Sequence, residues 1–403
     1  MGEHTRIGGR SPDGRTGSLG ELIHAAVRRA IEVAVDEELT AALGAGAYER
    51  GDTRRGYRHG TKARTLTGPT GPLPLAIPRA RLFNGTGERE WTSALLPRYQ
   101  RRLQEVNETV VATYLAGGNT RRLRGALAPL LKAAPLSKSA VSRLVGTLKT
   151  ELEAWRTRSV AGLDVLGLYL DALALRVRSA GKVVSVPVLG VVEVLTDCPK
   201  QLLALELCPG GETFEAWKGC LDDLVTRGLA PPVWCVIDGH PGLRKAVGLV
   251  WPPALVQQCC VHKLRNLERK APKHALAEIR ADFDRIGYAE SAAAAHTAYT
   301  AFERKWGTRC PGVVRSLHEG ADELLTFFQF PKRQWKTLRT TNVIERLNEE
   351  FRRRVKTQGS LPTEDAALVL LFGLVVSGQV RLRRLDGWRQ IPATLRLRRE
   401  PAA

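Results

Sequence analysis

The sequence is short of acidic residues, of paired cysteines and of long apolar runs, and each shortage narrows the class of protein. Its 403 residues include 41 Asp and Glu against 61 Lys and Arg, a net charge of +20. This imbalance favours a polyanionic partner, because a basic groove displaces counterions from a phosphate backbone. A solubilising surface charge is the alternative. Nucleic acid is the partner that we expect.

The seven cysteines lack the paired spacing of a disulfide-rich secreted module, which favours a reducing cytoplasm. Residues 1–10 lack the apolar segment of a signal peptide. The longest apolar run, residues 366–376, is shorter than the roughly 18 residues needed to span a bilayer. We therefore expect a soluble cytoplasmic protein with no membrane contact.

Composition and periodicity divide the chain into segments. The predicted order is a flexible leader with an N-terminal helix (1–48), a basic region with some β-structure (49–104), a helical region (105–157), an α/β core (158–271 and 337–380) interrupted by an all-helical insertion (272–336), and a basic tail (381–403). Apolar residues three and four apart predict that the first helix runs from Leu19 or Glu21 to about Leu43. That stripe suits a dimer contact and core packing equally.

Two segments carry candidate DNA-contacting residues. Residues 50–62 hold Arg54, Arg55 and Arg58 around Tyr57, a pattern that can follow a phosphate backbone, although a solvated loop is equally consistent. Helices are predicted at 105–115 and 121–133, with a third capped by Ser137.

The short helices and the turn before Ser137 match a helix-turn-helix reader of the major groove. A helical hairpin without DNA is the alternative. The residues expected at the DNA in this region are Arg121, Lys138, Ser139, Ser142 and Arg143.

After Trp155 the pattern of apolar residues changes from helical to strand-like. Strands are predicted at 165–170, 182–195, 201–207, 232–237 and 254–260, the later ones alternating with helices. Three strands in succession followed by alternation predict a mixed sheet with helices on both faces, an α/β fold.

Two of these strands run directly into an aspartate, Asp171 and Asp238. An ionised carboxylate at the end of a buried strand is costly unless it is neutralised, and a divalent metal is the usual means. The alternative is a turn residue, since Asp before Gly suits turns. If the first and fourth strands are neighbours, the two carboxylates converge.

A third acid would complete a metal site, and the candidates are Glu345, Glu349 and Glu350 on one predicted helix. The apolar stripe of that helix consists of Val343, Ile344, Leu347 and Phe351. Glu345 lies nearly opposite the stripe, so periodicity describes it as an exposed glutamate and does not select it.

Several separated blocks resemble bacterial insertion-sequence transposases of the Mutator superfamily. The blocks are Asp171 within Tyr-Leu-Asp-Ala, Asp238-Gly-His-Pro-Gly-Leu, Gln-Cys-Cys-Val-His-Lys-Leu-Arg-Asn at 258–266, Arg-Thr-Thr-Asn-Val-Ile-Glu-Arg-Leu-Asn at 339–348, and the stretches 112–121 and 136–143. They occur in the right order and cover roughly residues 50–375. Their number and order make the resemblance specific.

The resemblance implies a ribonuclease H-like catalytic domain with an all-helical insertion before its last acid. It implies that Asp171, Asp238 and Glu345 form the catalytic triad and bind two Mg²⁺ ions, with Mn²⁺ as a substitute. The implied activity is metal-dependent cleavage and strand transfer of DNA at terminal inverted repeats and a target duplex, by a homodimer associated with the bacterial nucleoid. A ribonuclease H-like nuclease or resolvase, and a DNA-binding regulator with a decayed core, are the alternatives.

The same blocks implicate supporting residues, which are His240, Cys259, His262, Arg265, Asn266, Trp306 and Asn342. Cys259 and His262 match a Cys-x-x-His element, but no second pair lies at zinc spacing, so packing is favoured and no structural zinc is expected. His240 suits a turn better than a phosphate contact. For Trp306, core packing is favoured over stacking on an unpaired base.

The basic residues Arg352, Arg353 and Arg354 are expected to contact DNA phosphates without reading sequence. Two departures from the family pattern stand out. Gln258 occupies a position where arginine is common, and Gly-Gly-Asn at 117–119 replaces a more usual Gly-Leu-Ser.

Overall fold

The computed structural model describes residues 18–85, 87–117, 123–132, 134, 136–179, 181–195, 200–356, 361, 363–382, 384, 386 and 389. The chain divides into two compact units, residues 1–146 and 147–403. Within the described ranges, no helix combines the length and the apolar character needed to cross a membrane.

The N-terminal unit combines a small antiparallel sheet, in the order β1-β2-β3, with helices. Its elements are α1 (Leu19–Leu43), β1 (Gly56–Gly68), β2 (Gly71–Phe83), β3 (Glu88–Glu90), α2 (Gln104–Leu115), α3 (Leu123–Ala126), α4 (Ala128–Leu131) and α5 (Lys138–Thr157), the last of which continues into the second unit.

The predicted first helix is confirmed as α1. Ser18 and Glu21 form a reciprocal capping box at its start, which satisfies N–H groups that the first turn leaves unpaired. The C-terminal half packs on the sheet through Val35, Leu39 and Leu43. Of the predicted stripe, Val27 and Ile31 pack against the same core, whereas Leu22 and Ile23 are exposed.

The basic region was expected to contain some β-structure, and β1 begins within the stretch 50–62, at Gly56, and pairs with β2. The solvated-loop alternative therefore does not hold for residues 56–62. One local prediction in this unit is wrong. The helix predicted at 121–133 is instead two four-residue helices, α3 and α4. Pro129 lies in the first turn of α4, where its missing N–H costs nothing, whereas inside a continuous helix it would remove a hydrogen bond. Ser137 does cap α5, since its Oγ accepts the Ala140 N–H at 3.1 Å.

The second unit is built around a five-stranded sheet. Its elements are β4 (Val165–Ser179), β5 (Lys182–Leu195), β6 (Gln201–Leu207), α6 (Phe214–Thr226), β7 (Trp234–Ile237), α7 (Pro241–Val250), β8 (Leu255–Gln258), α8 (Cys260–Lys270), α9 (Leu276–Gly287), α10 (Ala292–Arg309), α11 (Pro311–His318), α12 (Ala321–Leu324), α13 (Lys332–Leu338), α14 (Asn342–Lys356) and α15 (Glu364–Val376).

The strand order is β6-β5-β4-β7-β8. β4, β5 and β6 are antiparallel, whereas β7 runs parallel to both β4 and β8. One face of the sheet packs against α6 and α7 in a core that includes Leu168, Leu170 and Trp217. α14 covers β4 and β5 on the face that carries Asp171. The predicted mixed sheet is confirmed, and the first and fourth strands are neighbours, which is the condition under which the two carboxylates were expected to converge.

One strand differs from its prediction. Asp171 does not end the first strand but lies in the middle of β4, which continues to Ser179. The reason is local: after Asp171 the chain alternates buried Leu173, Leu175 and Val177 with exposed residues, the pattern of a strand with one covered face. Only Asp238 directly follows the end of a strand.

Residues 272–338, all of which the structure describes, form helices and short turns with no strand. Lys263 of α8 anchors this region, because its buried ammonium donates to the backbone carbonyls of Ser316 (2.7 Å) and Glu319. Burial lowers the pKa of Lys263 to about 8. Within the region, the buried Trp306 donates its indole N–H to Asp282 Oδ2 at 3.0 Å.

Candidate active site

Asp171 and Asp238 occupy equivalent positions on adjacent parallel strands. The last paired residues of β4 and β7 are Leu170 and Ile237, and each aspartate is the next residue in its chain. Side chains at matching positions of parallel neighbours point to the same face of the sheet. The register therefore brings together two acids that are far apart in sequence.

The Asp171 carboxyl group is nearly buried, with 8% of the residue exposed. Burial, the charge of Asp238 and, to a smaller extent, that of Glu345 raise its pKa to about 7, while His262 and a backbone hydrogen bond oppose the rise. Its Oδ2 accepts a hydrogen bond of 2.8 Å from Nδ2 of Asn348. This is a carboxylate whose negative charge the protein leaves largely uncompensated.

Asp238 begins a tight turn from β7 into α7. Its Oδ1 accepts the backbone N–H of His240 at 2.8 Å, and Gly239 takes a left-handed φ of 96°. A Cβ on Gly239 would lie 2.0 Å from Gln258 Nε2, so glycine is required here. His240 caps α7, its Nδ1 accepting the Leu243 N–H at 3.4 Å. His240 therefore stabilises the turn.

Glu345 lies in the first turn of α14 and faces α8. Its Oε1 is 3.2 Å from Nη1 of Arg265 and 3.5 Å from Nε2 of His262, and its side chain is 21% exposed. The description of Glu345 as an exposed glutamate is wrong. The buried face of α14 is wider than its apolar stripe because it includes Asn348, one turn after Glu345 and bonded to Asp171.

Asn348 is a residue that the sequence reasoning missed. Its place in the last motif block was a signal, as was its spacing of three from Glu345, which sets both side chains on one side of the helix. An amide N–H donor at this position holds the Asp171 carboxylate in one orientation.

Cys259 and His262 anchor the start of α14. The Cys259 N–H donates to the Ile237 carbonyl at 2.8 Å, next to Asp238, and its Sγ accepts the backbone N–H and the hydroxyl of Thr341, both at 3.3 Å. His262 Nδ1 lies 3.2 Å from the same hydroxyl. Burial alone raises the pKa of the Cys259 thiol, but His262 and Thr341 outweigh burial and lower it. The Cys-x-x-His element thus joins the end of β7 to the helix that carries Glu345.

The donors fit a hard divalent cation, because three carboxylates supply only oxygen ligands. In this structure, however, the three carboxylates are not grouped closely enough to bind one ion together. In the described part of the chain, no three His, Cys, Asp or Glu side chains lie close enough together to hold one ion. Glu345 is engaged by Arg265 and His262 instead.

The remaining supporting residues differ in exposure. Asn266 on α8 is half-buried, Asn342 is exposed at the start of α14, and Arg265 is exposed apart from its contact with Glu345. Trp306 is fully buried, so in this structure it packs within the helical region and presents no face for stacking on a base.

Several arginines expected at DNA make contacts within the protein. Arg54 donates to the carbonyls of Glu49 and Gly56, each at 2.8 Å. Arg58 pairs with Asp36 and donates to Thr40. These contacts hold both side chains against the N-terminal unit.

Other residues expected at DNA are accessible. Arg55 is exposed, as are Lys138, Ser139, Ser142 and Arg143 in the first turns of α5. Arg121 lies outside the described residues. On α14, Arg352 is exposed, Arg353 pairs with Glu350 at 2.6 Å, and Arg354 is half-buried.

Comparison with known proteins identifies the class. The family model of Mutator-family transposases matches residues 12–381, and the chain belongs to that family. It is 35% identical over 370 residues to the transposase for insertion sequence element ISRM5 of Rhizobium meliloti, covering 91% of this chain and 88% of the relative. It is 32% identical over 359 residues to the transposase for insertion sequence element IS1081 of Mycobacterium tuberculosis, covering 89% and 85%.

One solved structure, the Drosophila P element transposase strand transfer complex, covers 68% of this chain and 79% of its own. The sequence identity is 11% and the TM-score is 0.28, a likeness too low to bear on fold or function.

Proposed function

We propose that this transposase binds the terminal inverted repeats of its own insertion sequence and catalyses metal-dependent DNA cleavage and strand transfer through Asp171, Asp238 and Glu345. The single observation that carries the proposal is the register of β4 and β7, which sets two aspartates side by side beneath the helix that bears the glutamate.

The order and direction of the strands support the proposal of a ribonuclease H-like core. Three antiparallel strands come first in the chain, the first of them pairs in parallel with the fourth, and the fourth with the fifth. The helical region 272–338 separates β8 from α14, as an insertion before the last acid would.

Asp171 and Asp238 would hold the cations, and Glu345 would join them after release of Arg265. Two bound Mg²⁺ ions, or Mn²⁺ in their place, would activate the attacking hydroxyl and stabilise the leaving oxygen. The chain's own residues orient this site. Asn348 fixes the Asp171 carboxylate, and Cys259 and His262 hold the helix start through Thr341.

End recognition belongs, on this proposal, to a helix-turn-helix region that includes α3, α4 and α5. The exposed Lys138, Ser139 and Ser142 at the start of α5 are available for a major groove. We also propose that the protein acts as a homodimer on the bacterial chromosome. The apolar N-terminal half of α1, where Leu19 and Leu22 are 73% and 46% exposed, supports a contact between copies.

The decisive experiment compares Asp171→Asn with the parent protein on a labelled terminal-repeat duplex in Mg²⁺. We expect cleavage and strand transfer to be lost and end binding to be kept, because the amide has the same shape but cannot carry the charge that a cation requires. Glu349→Gln removes an exposed charge from the same helix as Glu345 and is the matched control, with activity unchanged. Cutting by Asp171→Asn would overturn the triad.

The same assay separates the two alternatives. A nuclease or resolvase would cut without joining the freed 3′-hydroxyl to target DNA and would show no preference for the terminal repeats. A regulator with a decayed core would bind the repeats and cut nothing in either metal.

A further inference from the structure

A basic cleft in the N-terminal unit has no role in the chemistry above. Its volume is about 1270 Å³, and it is lined by β1, by the segment 97–102, by the end of α4 and by the start of α5. The lining includes Lys62, Arg101, Arg102, Lys132 and Arg143, together with Arg64 and Arg98. Of the residues described in this cleft, none is Asp or Glu.

The cleft wall is held in place by Arg64. Its guanidinium donates to the carbonyls of Leu96 (3.2 Å), Pro97 (2.6 Å) and Gln100, which ties the segment 97–102 to β1. Backbone bonds of 2.9 Å between Thr67 and both Arg101 and Leu103 continue this attachment. The cations of the segment are therefore positioned before any ligand arrives.

Among the described residues no carboxylate lines the cleft, although Glu90 lies near enough to interact with Arg98. Elsewhere in the unit, arginines face carboxylates, as Arg79 faces Glu90 and Arg81 faces Glu88. In the cleft, burial and then the charges of Arg143 and Arg101 lower the pKa of Arg102, the effect expected where cations crowd together. Crowded cations with no acid among them favour a polyanion.

An aromatic side chain stands at the edge of the same segment. Tyr99 is 86% exposed, and the Arg98 guanidinium lies 5.9 Å from its ring centroid. A ring exposed to this degree gains nothing from the protein core. It can pack against a sugar or base of a nucleic acid held by the neighbouring cations.

We propose that this cleft binds the phosphate backbone of duplex DNA, with Arg101 and Arg143 contacting phosphates and Tyr99 packing against the nucleotide between them. The inference rests on the proposed function, since it takes DNA as the ligand of this protein. Cations that meet phosphates carry no sequence information, so the cleft adds affinity while base reading lies elsewhere.

The test measures binding of the full chain to a fluorescent duplex of random sequence by anisotropy over a range of KCl concentrations. Each lost phosphate contact removes about 0.9 from the slope of log K against log salt. For Arg101→Gln with Arg143→Gln we expect a slope lower by about 1.8 and binding at least about tenfold weaker. Arg101→Lys with Arg143→Lys should keep the slope and shows that the fold is intact.

The matched control is Arg29→Gln with Arg89→Gln, two exposed arginines of the same unit that do not line the cleft. This pair should leave the slope unchanged. Equal losses in the cleft pair and the control pair would overturn the proposal, because the effect would then be one of net charge. Tyr99→Ala should weaken binding without altering the slope, because the ring carries no charge and displaces no counterion.

Failure of this inference is distinguishable from failure of the proposed function. Binding to a random duplex requires no cleavage, so it is measured equally well in the Asp171→Asn background. Cleft variants that bind normally in a protein that still cuts would refute the cleft alone. If the cleft variants bind DNA weakly but the Asp171→Asn protein still cuts DNA, the triad alone is refuted.

Discussion

Glu193 offers a test of how burial sets charge in this sheet. It lies on β5 with no exposed surface, and within the described structure neither carboxylate oxygen has a hydrogen-bond partner. Burial raises its pKa from 4.5 to about 7, and only Arg158 opposes the rise. We therefore expect Glu193→Gln to stabilise the protein above neutral pH.

The magnitude follows from the shift. A group whose folded pKa is raised keeps its proton longer in the native state, so stability is lost as pH rises from about 4.5, the unfolded value, through the folded pKa of about 7. At 1.36 kcal/mol per pKa unit, the largest cost of the charge is about 3 kcal/mol. Because the glutamine amide also lacks partners, we expect a net gain of about 2 kcal/mol near pH 8.

Urea unfolding followed by circular dichroism measures this gain at several pH values. The two proteins should differ least near pH 4.5 and diverge steadily until the difference levels off above about pH 7. Glu215→Gln removes an exposed charge from α6 and should change stability by less than about 0.5 kcal/mol at any pH. A Glu193→Gln protein that is less stable than its parent near pH 8 would refute the reasoning.

The other predictions concern residues that orient the proposed site. Asn348→Ala should slow cleavage by about 10- to 100-fold while duplex binding is unchanged, because Asp171 loses the donor that holds it. Asn348→Asp should be slower still, since it adds a like charge beside Asp171. Cys259→Ala should slow cleavage about fivefold to tenfold by removing the acceptor for Thr341, and Cys259→Ser should recover part of that loss. Single-turnover cleavage rates and duplex dissociation constants measure both effects.

Each of these effects has an outcome that contradicts it. If Asn348→Ala weakened duplex binding and cleavage by equal factors, Asn348 would act on the fold or on DNA rather than on Asp171. If Cys259→Ser were as slow as Cys259→Ala, the thiol would not act through its hydrogen bonds to Thr341.

The pattern of residues along the chain was sufficient to predict much of the secondary structure of the second unit. β5 and β6 have the bounds expected from their β-branched and apolar runs. The convergence of Asp171 with Asp238 was expected on the condition that the first and fourth strands are neighbours, and β4 and β7 do pair in parallel. Strand bounds are local features and so can be inferred from sequence, whereas the neighbour of each strand is set by the folded sheet.

Other features depended on contacts between distant segments. Glu345 is drawn to the edge of a buried helix face by Arg265 and His262, some 80 residues earlier, which helical periodicity cannot detect. Arg58 lies in a basic stretch of the kind that contacts DNA, yet in the folded protein it forms an ion pair with Asp36. The cleft cations come from four separate segments and are adjacent only after folding.

The sequence by itself determined the elements, their order and the family, because those rest on periodicity, capping and motif spacing along the chain. Only the tertiary structure decided which charged side chains form ion pairs and which have no oppositely charged neighbour. That difference has a physical cause: the free energy of a charge depends on burial and on partners a few ångströms away, and those neighbours are brought together only by packing.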